Sequence, residues 1–96
     1  MTKITTKYVE SRVFKFYSDA GHGWLAVKLK DLYVLGIDKT QFTAYSYKRG
    51  QTVYLEEDCD ATKFLKLWEH LTGRKAKYVE KYTERSPIRY YDGIFE

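Results

Sequence analysis

The sequence predicts an α+β domain: an antiparallel sheet of about four to five strands with two helices on one face, in the order β-β-α-β-β-α-β. Three observations carry this expectation. Residues 28–35 and 61–72 place apolar side chains at helical spacing, and each run stops at a glycine, Gly36 and Gly73. The segments outside them are rich in Thr, Val, Tyr and Phe, the residues that suit a half-buried pleated surface. Residues 41–56 form two β-rich runs joined at a turn, the pattern of a hairpin.

Taken in order, residues 4–17 read as strand, with an apolar phase that slips between Val9/Val13 and Phe14/Phe16, which a bulge or two partly covered faces would explain. Ser18 to Gly23 is a turn, because Asp19 can bond nearby backbone N–H groups and Gly21 and Gly23 supply positive φ. Trp24 to Val27 is a short strand. Leu29, Leu32 and Tyr33 then define a short helix, with Ile37 packing back beneath it.

With Arg49 and Gly50 as a two-residue loop, the hairpin register pairs Ser46 with Val53 and Ala44 with Leu55 on one side. Tyr45 then faces Tyr54 and Tyr47 faces Thr52 on the other. The second helix follows, with Phe64, Leu65, Trp68 and Leu71 on its apolar face. Asp60 suits its N-cap, and Cys59 and Phe64 stand at the positions of a hydrophobic staple. From Arg74 to Tyr91 the composition turns basic and aromatic; Pro87 divides it into an edge strand over residues 76–83 and an extended tail.

Length and composition limit the possibilities. Ninety-six residues with a 44% hydrophobic fraction and one proline make a single domain, 1–96, able to build one core. Seventeen basic against thirteen acidic residues give a net charge of +4, which favours anionic partners and departs from acidic mimicry of DNA. A lone cysteine excludes an internal disulfide and fits a reducing, cytoplasmic setting. No apolar run has the length of a membrane span, and Met1 to Thr5 do not open the apolar stretch of a signal peptide, so no membrane partner is expected.

Chemistry-bearing motifs are few. Cys59 and His22 are the minimum for a nucleophile and base, but neither lies in a recognised nucleophile motif, and packing and turn roles account for both. Glu56, Glu57, Asp58 and Asp60 match no calcium loop, and acids before a helix are explained by its dipole and capping. Gly21-His22-Gly23 feeds a strand where a phosphate loop should feed a helix. No catalytic residue, metal or cofactor is therefore expected. The candidate binding residues are Tyr45, Tyr47 and Tyr54 on one hairpin side, with Lys48 and Arg49 at its tip. Such a face suits stacking of unpaired bases or the aromatic centre of a protein interface.

The segments Tyr17-Ser18-Asp19-Ala20-Gly21-His22-Gly23-Trp24-Leu25-Ala26-Val27, Tyr45-Ser46-Tyr47 and Val53-Tyr54-Leu55-Glu56-Glu57-Asp58-Cys59-Asp60-Ala61 resemble a group of small proteins encoded by bacteriophages and plasmids. The resemblance covers residues 14–72 and carries over no catalytic residue. It implies a mobile-element accessory protein that binds a host protein or ribonucleoprotein complex in the host cytoplasm, anti-defence inhibition of the anti-CRISPR kind being one form. The alternatives are a nucleic-acid-binding module using the tyrosine face and, more distantly, a small enzyme using Cys59 and His22.

Overall fold

The computed structural model describes residues 4–96, so the reading of Met1 to Lys3 lies outside the described residues. The count and order of elements differ from the expectation: a helix precedes the expected β-β-α-β-β-α-β series and a short strand follows it. The elements are α1 (Thr6–Ser11), β1 (Val13–Ser18), β2 (Gly23–Lys28), α2 (Leu29–Leu35), β3 (Tyr47–Arg49), β4 (Thr52–Glu56), α3 (Thr62–Thr72), β5 (Lys77–Tyr82) and β6 (Asp92–Gly93). They form one six-stranded sheet ordered β5-β1-β2-β4-β3-β6. The sheet is mixed, not purely antiparallel, because β5 returns after α3 to pair parallel with β1.

The first correction is α1, in a segment that reads as strand. Thr5 caps it by accepting from Tyr8 N at 3.0 Å. Two tertiary contacts then hold it against local β propensity: the Tyr8 hydroxyl donates to Asp31 at 2.5 Å, and the Tyr8 ring lies 6.0 Å from Trp68. The slip of the apolar phase is therefore a helix-to-strand junction at Arg12, not a bulge. Arg12 closes the junction by donating from Nε and Nη2 to Asp31, at 2.9 and 2.7 Å. Burial first, and then the Asp31 carboxylate, push the Tyr8 phenol well above its ordinary range.

The hairpin loop is Gly50-Gln51, with Gly50 at φ 59°, and Tyr47 pairs with Tyr54, Lys48 with Val53 and Arg49 with Thr52. The expected register is thus off by two residues on β3. A shift of two preserves which side each residue faces, so the aliphatic and aromatic sides are as expected. Lys48, sharing a side with Val53, turns to the helix-covered face, away from the tyrosines.

Before α3 the chain makes a π-helical turn, Glu57–Ala61, capped by the Glu56 carboxylate, which accepts from Asp58 N and Cys59 N. Asp60 is not the cap. Its buried carboxylate accepts from Thr43 N and Oγ1 at 2.8 Å and from Ser46 Oγ at 2.5 Å, tying the loop before β3 to the start of α3. Cys59 is exposed, so the staple does not form. Phe64 and Trp68 are buried as expected, whereas Leu71 is 39% exposed at the helix end. Gly36 and Gly73 end α2 and α3 in the left-handed conformation.

The core lies between one sheet face and the helices: Phe14, Leu25, Val27, Val53 and Leu55 from the sheet meet Val9, Leu32, Leu35, Phe64 and Trp68. Phe14 packs edge-on to both Phe64 and Trp68, with centroids 5.3 and 5.0 Å away. Gly21 and Gly23 do not use positive φ. Gly23 instead lies under the Phe16 ring: a Cβ there would stand 2.6 Å from Phe16 Cζ and force the ring to shift. Among the described residues, no helix is long and apolar enough to cross a membrane.

Candidate binding face

Strand alternation aims the other set of side chains away from the helices, and the register sorts them into rows. One row runs Val79, Lys15, Ala26, Tyr54, Tyr47 across β5, β1, β2, β4 and β3. A second runs Lys81, Tyr17, Trp24, Glu56. Lys28, Thr52 and Arg49 form part of a third. Within these rows Glu56 is the one carboxylate, and it is occupied by its capping bonds.

The tail crosses this face. Because β5 is one edge and β6 the other, residues 83–91 span the whole sheet between them. Asp19 anchors the crossing: it accepts from the N–H groups of Gly21, His22 and Ser86 and from the Arg89 guanidinium. Burial alone would raise this carboxyl, but those hydrogen bonds overcome it and lower the value from 3.8 to about 2. Tyr91 then packs edge-on to Tyr54 with centroids 5.2 Å apart, and Arg49 sits over the Tyr91 ring at 5.0 Å. Trp24 and Ile88 are both buried yet stand outside the main core, so the crossing seals a second, small apolar layer.

The strap divides the face into two concavities. The first is a groove of about 280 Å³ lined by Arg12, Lys15, Lys28, Tyr17, Ala26 and Tyr54. Tyr17 and Tyr54 form its aromatic wall with centroids 6.2 Å apart, and small Ala26 leaves the floor open between them. Burial, then Tyr91 and Tyr17, push the Tyr54 phenol up, so it stays a neutral hydrogen-bonding and stacking surface. The second is a cleft of about 450 Å³ that brings together His22, Trp24, Tyr45, Tyr47, Cys59 and Arg89. His22 stacks on Trp24 with 16° between the rings.

The expected binding residues are therefore separated. Tyr54 lines the groove, Tyr45 and Tyr47 line the cleft, Arg49 holds the strap, and Lys48 faces the other side. Tyr45 lies in the turn before β3, outside the strand, and is 71% exposed. Sequence reasoning missed Lys15, Tyr17 and Lys28, because their placement depends on β1 and β2 pairing antiparallel; the alternation Lys15-Phe16-Tyr17 was the available signal.

Cys59 and His22 share the cleft rim, but partial desolvation and then the Glu56, Asp60 and Asp58 carboxylates push the thiol up, disfavouring the thiolate a nucleophile requires. Among the described residues, no three His, Cys, Asp or Glu side chains gather as a metal site. No protein-family model, curated protein or solved structure matches the chain.

Proposed function

We propose that the protein is a non-enzymatic binding module and that a single-stranded nucleic acid lies along its strap-divided sheet face. The observation that supports this is the pairing, in one groove, of an aromatic wall from Tyr17 and Tyr54 with the cations of Lys15 and Lys28. Unpaired bases stack on aromatic faces while the intervening phosphates need positive charge, and a duplex offers no exposed base faces to such a wall. Lys81 and Arg49, on the same face, extend the positive track beyond the groove.

A host ribonucleoprotein fits this reading and the resemblance to mobile-element proteins: the groove takes the RNA strand, and protein contacts fall on the cleft rim. Tyr45, on that rim and 71% exposed, favours the second contact, because exposed aromatics are the residues an interface centre uses.

The test is fluorescence anisotropy with a labelled oligouridine of about twelve nucleotides, set against a duplex of the same length. Tyr17→Ala should weaken single-strand binding by about 1–3 kcal/mol, or roughly 5–150-fold, the worth of one stacked base. Equal affinity for the duplex, or unchanged binding by Tyr17→Ala, overturns the reading.

A further inference from the structure

A third concavity, of about 230 Å³, lies on the helix side where α1, α3 and β5 meet. It is lined by Arg12, Arg74, Lys75 and Lys77, with Glu10, Val9 and Trp68 completing the wall. Four cations thus converge on one cavity with a single carboxylate among them. Trp68, buried to 1% exposure, lines the core side of the cavity, so its indole resonance reports on what the cavity holds.

The cations are only partly neutralised. Arg12 is held by Asp31, Arg74 pairs with Glu10 at 2.9 Å, and Lys77 Nζ donates to the Glu10 carbonyl at 2.9 Å. Lys75 has no ion pair among the described residues. Glu10 and Arg74 are both about half exposed, so their bridge is a weak, exchangeable contact that a stronger oxyanion displaces.

We propose that this cavity binds a phosphate group, with Arg74, Lys75 and Lys77 as its charged clamp and the Trp68 ring as its inner wall. A tetrahedral oxyanion presents acceptors in several directions at once, which matches donors arriving from the loop after α3 and from β5. The chemistry is shared by inorganic phosphate and by the terminal phosphate of a nucleic-acid strand. Arg12 borders both this cavity and the groove, so the second source rests on the proposed nucleic-acid reading, and the first does not.

The test follows the Trp68 indole N–H resonance during titration with inorganic phosphate, with sodium chloride at matched ionic strength as control. A saturable shift with phosphate and none with chloride is expected. Arg74→Gln/Lys75→Gln should weaken phosphate binding at least about tenfold, whereas Glu10→Gln, which removes the competing carboxylate, should tighten it several-fold. The same shift with chloride, or a titration indifferent to both variants, overturns the proposal.

The source is read from oligouridines with and without a 5′-phosphate. Preferential binding of the phosphorylated strand, lost in Arg74→Gln/Lys75→Gln, assigns the site to strand ends, while a phosphate response with equal binding of the two strands assigns it to the free ion. Oligouridine binding with no Trp68 response to any phosphate defeats this cavity but leaves the groove standing. A Trp68 response in a protein that binds no oligouridine defeats the groove alone.

Discussion

Salt dependence provides a quantitative test of the groove. Lys15, Lys28, Arg49 and Lys81 project from the same sheet face, and none belongs to an ion pair among the described residues. If each neutralises one phosphate, log K should fall with log salt at a slope of about −0.7 per contact, or about −2.8 in all. Between roughly 50 and 200 mM salt the parent should then lose about 50-fold in affinity. Lys15→Gln/Lys28→Gln removes two contacts, so the slope should halve to about −1.4 and the loss shrink to about 7-fold. Both lysines are exposed, so the thermal midpoint should stay within error of the parent. Anisotropy at four or five salt concentrations measures both slopes. Parallel lines for parent and variant would show that these lysines meet no phosphate and refute the placement of the strand.

Two predictions concern the buried carboxylates that organise the face. Asp60→Ala should cost about 2–4 kcal/mol in chemical denaturation, well above the roughly 1 kcal/mol of a helix cap, because it strands the Thr43 N–H and two hydroxyl donors; a cap-sized loss would deny Asp60 its role as a hub. Asp19 has a depressed carboxyl, so its contribution is complete above its ordinary value of 3.8 and is lost as pH falls toward about 2. Protection of the Ser86 N–H from hydrogen exchange, taken relative to its intrinsic rate at each pH, should fall across that window in the parent, and Asp19→Asn should lack that acid-dependent step; an identical acid response in the variant would assign the lability elsewhere.

Local pattern specified those parts of the fold that local chemistry decides. Gly36 and Gly73 mark helix ends because the left-handed turn is a property of the residue itself, and the period-2 pattern kept the hairpin sides correct despite the shifted loop. Other features were decided by partners far away in sequence. Thr6 to Ser11 is helical because Tyr8 meets Asp31 and Trp68, and Asp60 looks identical as a cap or as a hub until Thr43 and Ser46 are placed beside it. The aromatic face was legible in Tyr47 and Tyr54. Its cations were not, because the groove is assembled across three strands and the strap that bounds it comes from the opposite edge.

The path of the last residues also sets an order of events during folding. β5 reaches the sheet only by pairing Val13 with Lys77, a closure spanning much of the chain, and such distant pairings form late. Ser86 and Tyr91 can settle over the strands only once β5 is in place, and the same stretch then rounds β3 to insert Ile94 into the helix-side core. Trp24 on one side and the Ile94 site on the other therefore stay wet until the final step. Until residues 83–94 have settled, the domain has neither a finished interior nor a shaped binding surface, so competence to bind arrives together with completion of the fold.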